Sequence, residues 1–239
     1  GAFRIPLAFE YQRATELGAA LDFSRLVRGL ARDSAFVTKL FDRLNAVDLS
    51  SRLERRSQFS RGGVTPGLRY HLALGGTDAF RMLAGQFADA ALESREVRVS
   101  GGIRLPLGIS ATTELQRRAT SSWARRGAGQ SALEQTELNW PNVTGRWIWS
   151  PRQRLIRGIV SSVSATAGWR VRETRSRQTA ESVTDVSAGG GDAIEGSQVT
   201  TSVPLAFTVN WAPRVITTLG VATNRTDDYR SGNLTRTDR

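Results

Sequence analysis

Val97-Arg98-Val99-Ser100-Gly101-Gly102-Ile103-Arg104-Leu105-Pro106-Leu107-Gly108-Ile109-Ser110-Ala111-Thr112-Thr113-Glu114-Leu115-Gln116 is the stretch that decides the fold. Its odd positions carry Val97, Val99, Ile103, Leu105, Leu107, Ile109, Ala111 and Leu115. Its even positions carry arginine, serine, glycine, proline, threonine, glutamate and glutamine, with no large apolar side chain. A period of two belongs to a β-strand with one apolar face. A soluble strand runs to about 5–6 residues, and a bilayer-crossing strand needs about 9–11. The stretch is longer than either, so it predicts one strand that crosses a membrane and projects beyond it, with a bend or bulge at Pro106.

The same alternation recurs outward from this stretch. Upstream, Phe3, Ile5, Leu7, Phe9 and Tyr11 share one parity, Leu49 to Phe59 reads as a weaker strand, and Leu68, Tyr70, Leu72 and Leu74 alternate with Arg69, His71 and Ala73. Downstream, Trp140 to Ser150 alternates through Val143, Trp147 and Trp149, and Ile159 to Val171 does so through Val163, Ala165, Ala167 and Trp169. Val199 to Trp211 is followed by a short turn at Ala212-Pro213-Arg214 and a returning strand through Val215, Leu219 and Val221. Residues 77–92 and 120–131 read as loops. Residues 176–196, rich in Ser, Thr, Gly and Asp, predict a long flexible loop. Only residues 17–45 change period: Leu26, Val27, Leu30, Val37, Leu40, Phe41 and Leu44 recur at three and four, which predicts a short helical insertion. The expected class is all-β, an antiparallel transmembrane β-barrel segment over 1–239, open as an arc of a larger barrel. Both ends of the sequence lie inside strand-like patterns, which predicts a fragment of a longer protein.

Composition narrows the function. No run of 18 apolar residues occurs in 239, so no transmembrane helix is expected, while a barrel needs only every second residue apolar. Cysteine is absent, which excludes disulfide scaffolds and cysteine-based zinc sites. The net charge is +11, and Lys39 is the only lysine, so the positive charge is almost all arginine. The arginines are scattered in sequence and form no stripe or tail. The aromatics share a parity with Val, Leu and Ile while the arginines mostly occupy the other, whereas a nucleic-acid face interleaves basic residues with exposed aromatics, so no nucleic-acid partner is expected. His71 is the only histidine, and no Ser/His/Asp set or metal cluster can be assembled around it. Gly189-Gly190-Gly191 is followed by Asp192 and Ala193 and lacks the Lys-Ser/Thr of a phosphate-binding loop. No catalytic, cofactor or metal site is assigned, and no enzyme is expected. Trp140, Trp147, Trp149, Trp169 and Trp211 fall near strand ends or turns, as in the aromatic girdles of outer-membrane barrels.

Four segments, in order, carry a family resemblance. Pro66-Gly67-Leu68-Arg69-Tyr70-His71-Leu72 is similar to a "P-S-L-x-Y-Q-F/L-G" strand opening. Ser100-Gly101-Gly102-Ile103-Arg104-Leu105-Pro106 is similar to "S-G-G-V-x-L-P", and Asn139-Trp140-Pro141-Asn142-Val143-Thr144 to "F-P-D-L-S/T". Pro204-Leu205 to Trp211, with Ile216-Thr217-Thr218 and Asn224-Arg225-Thr226, is similar to a C-terminal "P-L…L-T-W…T-T…x-S-R-T" hairpin. Together, over residues 47–239, they resemble the SprA (Sov) family, the giant outer-membrane translocon of the type IX secretion system. The sequence departs from that pattern at His71 and Ala73, and residues 17–45 match nothing in it. The resemblance implies a C-terminal slice of a bacterial outer-membrane pore that passes folded proteins. Its implied partners are the lipid bilayer, the rest of the barrel, secreted protein substrates, and plug or accessory subunits of the translocon. Two alternatives stay open: a generic outer-membrane porin or receptor segment, and a soluble β-sheet adhesin or surface protein.

Overall fold

A computed structural model of the chain describes residues 9–22, 43–60, 80–83, 86–126, 129–182, 194–212, 215–230 and 233–238. Its strands are β1 (Phe9–Leu21), β2 (Val47–Phe59), β3 (Met82–Leu83), β4 (Gln86–Phe87), β5 (Ala90–Arg104), β6 (Ile109–Arg126) and β7 (Gly129–Trp149). After one helical turn, α1 (Arg154–Arg157), come β8 (Val160–Ser182), β9 (Ile194–Trp211), β10 (Val215–Arg230) and β11 (Asn233–Asp238). Nine of the strands form one sheet in the order β1-β2-β5-β6-β7-β8-β9-β10-β11, and β3 and β4 form a separate two-stranded ribbon. Every pairing in the large sheet is antiparallel between sheet neighbours. The sheet is an open meander, not closed into a barrel: among the described residues β1 pairs only with β2, and β11 only with β10.

The deciding stretch is two strands, not one. The chain reverses at Leu105–Gly108, where Pro106–Gly108 form a 3-10 turn and Leu107 and Gly108 take φ of 65° and 75°. Leu105 N–H donates to the Ile109 carbonyl at 2.8 Å and closes the turn. Pro106 therefore marks a full reversal and not a bend. The alternation looks unbroken because of the register: Arg104 pairs with Ser110 and Ile103 with Ala111, so odd residues stay opposite odd residues. The length argument drawn from this run fails, yet other strands supply the length. β7 has 21 residues and β8 has 23, well beyond the roughly 9–11 needed to span a bilayer.

Other boundaries shift in the same direction, toward more strand. The loop expected at 120–131 is the end of β6 and the start of β7, with Thr120 paired to Gln135 and Ser131 to Ala124. Ala90–Leu92, expected in a loop, opens β5. The flexible loop expected at 176–196 shrinks from both sides, because Ser176 pairs with Gly196 and Gln178 with Ile194. Ser, Thr and Gln are as competent in a paired strand as in a loop, and their polarity misled the reading. Residues 17–21 are strand, paired to β2 through Leu17↔Ser51 and Leu21↔Val47, so a helical insertion cannot begin at 17. Residues 23–42, the strands expected at 3–8 and 68–74, and the core of the 176–196 segment lie outside the described residues.

Little of this sheet is covered. Among the described residues the buried apolar side chains are Tyr11, Phe59, Phe80, Ala88, Ala91, Trp123 and Ala132. They form one cluster at the end of the sheet where the chain passes from β2 to β5. The 80–89 segment folds over that end and is stitched down by Asp89 N–H to the Gln58 carbonyl (2.9 Å) and Arg125 N–H to the Asp89 carbonyl (3.0 Å). Phe80 meets Trp123 edge-on at 5.9 Å between ring centres, and the Arg81 guanidinium lies 4.8 Å over the Trp123 ring. Arg81 also donates to Gln130 Oε1 at 3.0 Å. A cation–π contact of this kind is worth about 1–2 kcal/mol when partly desolvated.

Candidate membrane-facing wall

The registers place the two parities of the central strands on opposite faces. Ile103, Ala111, Gly145, Ala167, Leu205 and Val221 follow one another across β5 to β10. So do Ile109, Trp147, Ala165, Phe207 and Leu219 across β6 to β10. This face is an apolar band that no other described element covers: Trp147, Trp149, Trp169, Val203, Leu205, Phe207, Trp211, Val215, Leu219 and Val221 are all exposed. Monomeric soluble proteins rarely expose a contiguous apolar surface of this extent, which marks a contact with a membrane or another protein.

Tryptophans bound the band on both sides. Trp149 and Trp211 stand toward its lower edge, beside the turn that contains α1 and the β9–β10 turn, with Trp147 farther in, in the row of Phe207. Trp169 stands at its upper edge, with Trp140 beyond it in β7. Nine steps of β8 separate Val160, the partner of Trp211, from Trp169, about 30 Å along the strand and about 23 Å in height at a tilt near 40°. That is close to the roughly 25 Å apolar height of an outer-membrane barrel. Trp123, the sixth tryptophan, is instead buried in the far-end cluster. β7 carries a bulge between Asn139 and Asn142. The bulge swaps the parity of β7 where the band ends, so Leu138, Thr136 and Glu134 continue the face on which Val143 and Trp147 lie.

The opposite face is mostly polar, with Ile148 and Ile216 the exposed large apolar exceptions near the turns among the described residues. Beside the band it is lined by Gly102, Thr112, Thr144, Gly168 and Pro204, and by Ser164, Thr208 and Thr218. Above it, charges alternate across adjacent strands in one registered row: Glu16, Arg52, Glu96, Arg118, Glu137. Side chains bridge this row and the next. Gln116 donates to Glu96 (2.8 Å), Asn139 to Gln116 Oε1 (3.1 Å) and to Glu137 (2.9 Å), and Arg172 to Glu137 (2.8 Å). Arg98 pairs with Glu114 at 2.9 Å. Glu137 lies outside the band. Partial burial works against its ionisation, but hydrogen bonds from Asn139 and Arg172, with the charges of Arg172 and Arg118, hold its carboxyl below the usual carboxylate range. Each exposed pair contributes at most about 1 kcal/mol, so the row acts mainly by penalising a slipped register, which would set like charges opposite one another.

No family model matches the chain, and no curated protein or solved structure does. The site therefore rests on its own geometry. Among the described residues no group of three or more His, Asp or Glu is placed to hold a metal ion. No described helix is long and apolar enough to cross a membrane. His71 and the Gly189–Gly191 run lie outside the described residues.

One feature escaped the reading by parity: the placement of charge along the strands. No Asp or Glu occurs between Glu96 and Glu114, between Glu137 and Glu173, or between Glu195 and Asp227. These stretches are the β5–β6, β7–β8 and β9–β10 hairpins, which all turn at the same end of the sheet. Arg104, Arg146, Arg152 and Arg157 lie at that end with no Asp or Glu in the same hairpin turns, while Asp22, just past β1, and Asp48, in β2, stand at the same end in the neighbouring strands.

Proposed function

We propose that the chain is an arc of the wall of a bacterial outer-membrane β-barrel, with its apolar face toward lipid and its polar face toward the lumen. The observation that carries this reading is the uncovered apolar band, bounded by tryptophans and backed by a polar face. In hydrocarbon every backbone donor and acceptor must be paired within protein, and a sheet does this everywhere except at its edges. The two edges, β1 and β11, would be satisfied by further strands of the same wall. A sheet of nine strands that is still open fits a circle wider than a small eight-stranded barrel. That width, with the ordered motif resemblance, supports a protein-translocation pore of the type IX translocon kind, with secreted proteins and plug or accessory subunits as partners. A solute-passing porin or receptor wall is the second reading, favoured by the alternating charge row, which sets a transverse field across the polar face. The far-end cluster belongs to neither role and serves to anchor the 80–89 segment.

The test is tryptophan quenching in lipid nanodiscs. Lipids brominated high on the acyl chain should quench the chain's emission more strongly than lipids brominated near the bilayer centre, with Trp123 leaving an unquenched remainder. A chain that stays monomeric without detergent and shows no quenching by either lipid would remove the membrane wall from consideration.

A further inference from the structure

The end of the sheet at which the carboxylate-free hairpins turn has a composition of its own. Arg152 and Arg157 are exposed there in the turn that contains α1, and Arg104 and Arg146 are exposed beside it on the polar face, in one row through Ser110. None of them is ion-paired among the described residues, in contrast with Arg95, Arg172 and Arg175 farther up the sheet, which all hold a carboxylate at 2.6–2.8 Å. Between these cations project the two most exposed large apolar side chains: Leu155 in α1, 90% exposed, and Leu107 in the β5–β6 turn, 84% exposed. Both turns are fixed in place. The Leu105–Gly108 turn abuts Ile148 at the end of β7, and the Ala212 N–H donates to the Ile159 carbonyl at 2.9 Å, tying the turn after α1 to the β9–β10 reversal. Trp149 and Trp211 stand just above.

We propose that the turn between β7 and β8 is a binding surface for phosphate-bearing lipid headgroups, with the Arg152 and Arg157 guanidiniums on the phosphates and Leu155, with Leu107 of the neighbouring turn, inserted among the upper acyl carbons. The inference rests on the lipid-facing reading of the apolar band. Its logic is charge complementarity at a fixed depth. Guanidinium is a planar, bidentate donor set suited to phosphate, and arginines at a membrane surface gain from its negative potential. Unpaired cations around protruding leucines suit an amphiphile, which offers both an anion and a hydrocarbon. A free anion would offer nothing to Leu155, which stands exposed between Arg152 and Arg157 in the chain.

The experiment titrates the full chain in neutral detergent with dansyl-labelled phosphatidylglycerol or phosphatidylcholine, reading energy transfer from tryptophan. The expected result is a preference of roughly tenfold for phosphatidylglycerol, falling as salt is raised. The double variant Arg152→Glu with Arg157→Glu should bring the preference near unity. The same charge change at the other end of β8, Arg175→Glu with Arg177→Glu, should leave it in place. Equal affinity for the two lipids in the unchanged chain would overturn the proposal, as would equal losses in the two variants. Complete displacement by inorganic phosphate would also overturn it, by showing a free-anion site. Failure of the wall reading is seen separately, as absent quenching by brominated lipids, whichever way the lipid preference falls.

Discussion

Gly108 sits at φ 75°, and a Cβ there would collide with the Ile148 carbonyl oxygen. Both facts demand glycine at a turn that aligns β5 with β6 and holds β6 against β7. Gly108→Ala should therefore lower stability by more than about 1 kcal/mol. Gly145→Ala should be close to neutral, since a Cβ at Gly145 meets nothing nearer than the Ala167 carbonyl oxygen at 3.8 Å. Urea midpoints in one detergent compare the two, and equal costs would mean the turn is built differently. The residue scale was only partly legible in advance. Pro106 signalled a break in the strand, but Leu107, which takes the other positive φ, is a residue type that disfavours it. The turn is held by its context, by Leu105 bonding to Ile109 and by Gly108 under Ile148, and context leaves no local signature. Trp123 was missed for a related reason. Its burial depends on Phe80 and Arg81, more than forty positions away.

At the scale of the strand, parity carries the argument, so parity is what should be tested. Phe207 and Thr208 are adjacent in β9 near mid-band, one on each face. Phe207→Arg should cost about 2–4 kcal/mol in a bilayer. Thr208→Arg should cost little, because it faces the polar side among Ser164 and Thr218. Reversible unfolding in lipid vesicles reads both, and equal costs would mean that neither face meets hydrocarbon. Element type was legible because alternation needs no knowledge of neighbours: β8, β9 and β10 lie where Val163 to Val171, Val199 to Trp211 and Val215 to Val221 indicated. Element length was not. The upper halves of β7 and β8 are rich in Arg, Glu, Ser and Thr on both faces, as at Glu137↔Thr174 and Thr136↔Arg175. A strand wet on both sides has no alternation to read. The β7 bulge hid its own continuation as well, since the parity changes between Asn142 and Asn139.

For the whole molecule the distinguishing property is openness. The chain has no cysteine, so paired cysteines placed at the edges report cleanly on closure. Gly18→Cys in β1 with Thr237→Cys in β11 should form no disulfide within one chain in detergent, while Gly18→Cys with Ser50→Cys, its register partner, marks what adjacency looks like. An intrachain disulfide between the two edges would mean a closed nine-stranded barrel. The charged upper row was not foreseen either, because it arises from register, which aligns Glu16, Arg52, Glu96, Arg118 and Glu137 from five strands. The hairpin turns carry one more consequence. Pairings across the band join residues of like parity, at Arg104↔Ser110, Trp149↔Val163 and Trp211↔Val215 alike. A duplicated hairpin would thus arrive with its greasy and wet sides already sorted, and a gene could widen such a sheet two staves at a time, like a cooper enlarging a cask, without rewriting any existing stave.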